Sequence, residues 1–145
     1  MKSIIYLVVF CFSCLFGKIE AQTQIVKDSM SIAKVVGLQE KVDYKNFQVK
    51  FKKVIADSRC PKHVMCVRAG EADVLVSIYK NENFVGDKKI RIDASGYVME
   101  SNNLAFDAKD FKIYGFALTP YPTGTDDTTN ANYELELVFK PKVLK

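Results

Sequence analysis

Apolar side chains recur at every second position in several separate stretches of this chain, and a period of two is the signature of a half-buried strand. Phe47, Val49 and Phe51 alternate with Gln48, Lys50 and Lys52, and Ala72, Val74, Val76 and Ile78 alternate with Asp73, Leu75, Ser77 and Tyr79. Ile90 and Ile92 repeat the pattern after a turn signal at 81–83. Tyr133, Leu135, Leu137 and Phe139 form the last such run. Residues 111–119 (FKIYGFALT) are rich in strand-forming types, and Gly115 at their centre predicts a bulge or a close backbone approach. Pro120 and Pro122 end that strand. No 3.6-residue periodicity persists over three turns, and residues 102–110 are expected to hold at most a short helical turn. Many short strands joined by turn chemistry predict an all-β chain. The expected architecture is a single antiparallel β-sandwich, immunoglobulin-like or similar, of about seven or eight strands with one short disulfide loop.

The N-terminus follows a different rule. Lys2 precedes residues 4–16 (IIYLVVFCFSCLF), thirteen residues whose only clearly polar member is Ser13. About 20 apolar residues are needed to span a bilayer, so the run is short for an anchor. A charged start, a short apolar run and a small residue beyond it describe a secretory signal peptide. Cleavage is expected after Ala21, with residues 22–40 as an N-terminal arm or first edge strand and 41–145 as the sandwich domain. Lipidation at Cys14 is disfavoured, because Ser13 suits that signal but Phe12 and Cys11 do not. The expected location is therefore exported, periplasmic or extracellular, with no transmembrane segment in the mature chain.

Removing residues 1–21 takes away Lys2, Lys18 and Glu20 and leaves 19 basic and 16 acidic residues, net +3 over 124 residues. That mild, mixed charge does not suit a nucleic-acid binder. The nearest basic cluster, Lys50, Lys52 and Lys53, reads as a solvated strand face. Lys50 and Lys52 are expected to sit opposite Glu134 and Glu136 on a neighbouring strand. A domain of this size buries a core without help from cross-links.

Cleavage also divides the cysteines. Cys11 and Cys14 leave with the signal, and Cys60 and Cys66 remain in an oxidising compartment where they are expected to pair. The seven-residue ring stabilises by about 2.4 kcal/mol in the chain-entropy account and fixes a local loop shape. Arg59, Lys62, His63, Met65 and Arg68 are the expected contact patch of this loop, since stapled loops on rigid β scaffolds present recognition surfaces. An alternative takes Cys60, His63, Met65 and Cys66 as ligands for copper or zinc, because all four are soft or borderline donors. Zinc ordinarily wants four Cys or His ligands, and the mature chain has two Cys and one His. His63 is the sole His, so Ser–His or Cys–His chemistry would have to pass through it. Asp57 and Ser58 read better as residues that hydrogen-bond the turn they begin.

A second polar loop, 123–132 (TGTDDTTNAN), spaces Asp126, Thr128, Asn130 and Asn132 like calcium ligands. Ala131 and Leu137 stand where a calcium loop needs Gly and Glu, so an ordinary solvated loop is expected. No phosphate loop, dinucleotide fingerprint, HExxH or GxSxG motif is present. No catalytic residue and no cofactor is expected.

The string DSRCPKHVMCVRAGEADVLVSI resembles a pattern of small exported bacterial proteins, especially from Bacteroidota. In them DSRCP is followed by four residues, Cys, an apolar residue, Trp, Ala, Gly and a strand, and later by a Pro-Tyr-Pro turn and a Tyr-led strand. The chain matches at Asp57, Ser58, Arg59, Cys60, Pro61, Cys66, Ala69, Gly70, Ala72, Pro120-Tyr121-Pro122 and Tyr133, and departs at Arg68, where the pattern has Trp. The resemblance implies an exported β-domain and carries no established activity. The function expected from residues and resemblance together is a non-enzymatic binding or envelope-associated accessory module. Its partner would be an unidentified protein or envelope component.

Overall fold

A computed structural model of the protein describes residues 30–94, 101–124 and 132–142. The expected signal peptide, residues 22–29 of the expected arm and residues 125–131 of the second polar loop lie outside the described residues. Eight strands follow one another: β1 (Ile32–Gly37), β2 (Lys41–Tyr44), β3 (Phe47–Asp57), β4 (Glu71–Lys80), β5 (Asn83–Asp93), β6 (Leu104–Asp107), β7 (Phe111–Thr119) and β8 (Glu134–Pro141). They form two four-stranded antiparallel sheets, β2-β3-β4-β5 and β1-β8-β7-β6, which do not close into a barrel. The all-β sandwich expected from the alternation is the observed fold.

The core lies between the sheets. Val49, Phe51, Val74, Val76 and Ile90 from one sheet meet Ile113, Leu135, Leu137 and Phe139 from the other, all fully buried. Tyr44, Phe47 and Phe111 close one end through edge-on ring contacts, and Tyr44 also stacks on Phe139 at 4.4 Å. Burying such rings removes much apolar surface from water, and the offset and edge geometries add to that. Lys34 on the edge strand β1 reaches across the gap to donate to the Asp43 carbonyl at 2.6 Å. A charged residue on an edge also discourages pairing with another chain.

Two register shifts in β3 decide what reaches the loop end of the sandwich. Phe51, Val54 and Asp57 lie opposite Val76, Val74 and Ala72, and shifts fall between Phe51 and Lys53 and between Val54 and Ala56. Each extra residue flips the inward parity. The inward set is therefore 47, 49 and 51, then 54, then 57, so the carboxylate of Asp57 points toward the core side.

β7 uses the same device. Its register shifts between Gly115 and Ala117, so the inward positions change from Phe111, Ile113 and Gly115 to Leu118. Both expectations for Gly115 hold. The bulge is there, and a Cβ at Gly115 would come within 2.6 Å of Ile90 Cδ1 and 2.7 Å of Ile92 Cδ1 on the facing sheet. Asn103 clamps the spot, accepting from Gly115 N–H at its carbonyl at 2.9 Å and donating from Nδ2 to the Gly115 carbonyl at 3.0 Å.

Two expectations fail. Residues 104–107 form strand β6 rather than a helical turn, paired with β7 through Leu104, Phe106 and Asp107. The Lys50/Lys52 to Glu134/Glu136 pairing does not exist, because β3 and β8 belong to different sheets. Lys50 faces Lys41 and Ser77, and Lys52 instead bridges to Asp87 at 2.7 Å.

Candidate functional site

Between β3 and β4 the chain runs through residues 58–70, and Cys60 and Cys66 form a disulfide with Cα atoms 6.0 Å apart. Both flanks of the ring are tied to the sandwich. Ser58 N–H donates to the Glu71 carbonyl at 2.9 Å and Ser58 Oγ to the same oxygen at 2.8 Å. Cys60 N–H donates to the Ala69 carbonyl at 2.8 Å, and Lys62 N–H to the Pro122 carbonyl at 2.8 Å. Gly70 closes the loop with φ +78°, and a Cβ there would lie 2.1 Å from the Ser58 carbonyl oxygen. Only glycine fits that backbone at that approach.

Beneath the loop Asp57 and Arg59 form a buried pair. Arg59 Nη2 lies 2.6 Å from Asp57 Oδ2 and Nε 2.8 Å from Oδ1, with side chains 2% and 1% exposed. This two-pronged geometry is what a planar guanidinium offers a carboxylate. Arg59 Nη1 also donates to the Leu118 carbonyl and Nη2 to the Pro120 carbonyl at 2.8 Å. The guanidinium carbon sits 4.7 Å from the centre of the Tyr121 ring. Tyr133 Oη donates to Asp57 Oδ2 at 3.1 Å. Asp57 thus ties the end of β3, the turn after β7 and the residue before β8 to one point.

The electrostatics follow from that arrangement. Burial pushes the Asp57 carboxyl up, but the hydrogen bonds and charge of Arg59, with the Tyr133 hydroxyl, outweigh it and hold the group below 3.8. Tyr133 moves the other way: burial and the adjacent carboxylate raise its hydroxyl above 10.0.

The expected contact patch therefore divides. Arg59 does not belong to it; at 4% exposure its charge is spent inside the protein. Lys62, His63, Met65 and Arg68 lie on the exposed surface of the loop. Two further apolar residues, Val64 and Val67, join them; Val64 is 54% exposed, Met65 100% and Val67 105%. For Val64 the available signal was its place within the ring, since a seven-residue ring has no interior in which to bury a side chain; Val67 lies just beyond the ring, and no such signal marked it. Arg68 approaches Glu71 only at 4.0 Å and remains 84% exposed.

Other chemistry finds little here. The sulfurs of Cys60 and Cys66 are bonded to each other, so the oxidised loop offers no thiolate pair, and no group of three His, Cys, Asp or Glu suited to a metal occurs among the described residues. His63 is exposed with φ 69°. Neither proposed neighbour serves it: Ser58 Oγ is committed to Glu71, and Asp57 to Arg59 and Tyr133. The calcium-like spacing at 126–130 falls outside the described residues.

Three stretches far apart in sequence, residues 57–61, 120–122 and Tyr133, meet in the Asp57 network. In comparisons with known families, curated proteins and solved structures, this chain matches none.

Proposed function

We propose that this is an exported, non-enzymatic β-sandwich protein, a binding or envelope-associated accessory module that recognises its partner through the tip of the stapled loop. One observation carries the reading. Met65 and Val67 stand wholly exposed on a loop whose two flanks are fixed by a disulfide and a buried ion pair. Exposed apolar side chains are common singly, but a cluster on a rigid protrusion marks an interaction site. Rigidity supports the same reading, because a loop already ordered loses less entropy on binding. The resemblance to exported Bacteroidota-type domains supports the location, and the pairing of Cys60 with Cys66 suits an oxidising compartment.

The test is capture of envelope components by the immobilised protein, compared with a Met65→Asp/Val67→Asp variant and with Phe84→Asp as a control elsewhere on the surface. The reading predicts a component lost from the double variant and kept by the control. Identical capture by all three proteins contradicts it. The metal alternative has its own measurement: metal content of the reduced protein against the oxidised one. Stoichiometric copper or zinc on the reduced form would favour that reading instead.

A further inference from the structure

The loop tip carries an ordered combination of charge and apolar surface. Its apolar point is Val64, Met65 and Val67, and Lys62 and Arg68 flank that point from either side. Residues 58–70 contain no Asp or Glu. The acids that border the loop in sequence are already engaged: Asp57 with Arg59, and Glu71 with Arg91 at 3.7 Å. Among the described residues, the two flanking cations are therefore not neutralised by close ion pairs, Arg68 having only the 4.0 Å approach to Glu71.

From this arrangement we infer that the tip docks on an anionic lipid surface, with Val64, Met65 and Val67 entering the headgroup–acyl boundary and Lys62 and Arg68 resting on the acidic headgroups. The inference rests on the reading of the loop as the recognition surface and names its partner. Two features favour lipid over a protein pocket. Protein hot spots draw on Trp, Tyr and Arg, and interfaces carry a regular density of hydrogen bonds. The tip from Lys62 to Arg68 has Arg68 from that set but no Trp, Tyr or Phe, and no Ser, Thr, Asn, Gln, Asp or Glu side chain. A bilayer asks for apolar groups at the point and cations at the rim, with no directional partners.

Co-sedimentation of the disulfide-bonded protein with phosphatidylglycerol/phosphatidylcholine vesicles tests this, with pure phosphatidylcholine as reference. The wild type is expected to partition onto the anionic vesicles and to be released at roughly 0.5 M salt, where surface charge is screened. Lys62→Ala/Arg68→Ala should weaken partition about 25-fold, at about fivefold per charge. Met65→Asp/Val67→Asp should abolish it, and Phe84→Asp should leave it unchanged. All substituted residues are exposed, and unchanged thermal unfolding of each variant keeps a loss of binding interpretable. Equal partition of wild type and tip variants, or no preference for the anionic vesicles, overturns the inference. Absent vesicle binding with persistent, Met65/Val67-dependent capture of a protein overturns the lipid assignment alone. Loss of both overturns the recognition reading as well.

Discussion

Replacing Arg59 by Met leaves the 1%-exposed Asp57 carboxylate with Tyr133 as its remaining side-chain partner in the network. Removing one member of a buried ion pair strands the other charge, and a loss of about 3–5 kcal/mol is expected in denaturant unfolding at neutral pH. The pH dependence identifies the cause. In the wild type Asp57 is held below 3.8, so its contribution is present above that value and is lost as pH falls through the folded value. Asp73, lowered to about 2 by hydrogen bonds from Arg91 and Lys89, shares the window, with solvent screening reducing its effect. Tyr133, raised above 10.0, contributes stability present below 10.0 and lost as pH rises through its folded value. Stability measured against pH should therefore be flat through neutrality and fall at both ends, and Tyr133→Phe should remove part of the alkaline fall. In Arg59→Met burial acts on Asp57 against only the Tyr133 hydroxyl and the residue-59 backbone N–H, so Asp57 moves up relative to wild type and that variant should recover stability relative to wild type on acidification. A deficit independent of pH would show that the pair does not carry the effect. Arg59 was the residue whose role the sequence hid: a charged side chain beside an exposed loop reads as surface, and its two carbonyl acceptors lie 59 and 61 residues away.

At the scale of the element, the loop and β3 make separate predictions. Cys60→Ser/Cys66→Ser should cost about 2.4 kcal/mol, the closure entropy of a seven-residue ring, without changing the sheets. Far-UV circular dichroism and the unfolding midpoint check both halves of that statement. Gly70→Ala should cost more than an ordinary Gly→Ala change at a compatible site, because both φ +78° and the Ser58 carbonyl at 2.1 Å oppose a Cβ. A neutral Gly70→Ala would mean that the loop closes differently. The strands themselves were legible wherever alternation was unbroken, as in β4 and β8. β3 was legible only to Lys52, because two register shifts each add a residue and scramble the period of two that betrays a strand. β6 was missed since four residues carry too little periodicity to register.

Over the whole molecule, sheet membership was the part no local pattern could reveal. Lys50 and Lys52 look complementary to Glu134 and Glu136, but charge complementarity along two strands says nothing about which sheet each enters. The order β1-β8-β7-β6 against β2-β3-β4-β5 comes from long-range pairing and from the corner at 37–40. There Leu38 N–H donates to the Tyr133 carbonyl at 2.9 Å and Gln39 N–H to the Phe51 carbonyl at 2.7 Å. The corner thereby joins the sheets near the end that carries the loop. The network at Asp57 then makes the base of the loop a continuation of the sandwich. Amide hydrogen exchange tests that claim most directly, through Cys60 N–H and Lys62 N–H, bonded to Ala69 and Pro122. The account predicts that in the oxidised wild type both exchange far more slowly than an unprotected amide and that both accelerate in Arg59→Met. Exchange of these two amides at unprotected rates in the native protein would contradict it.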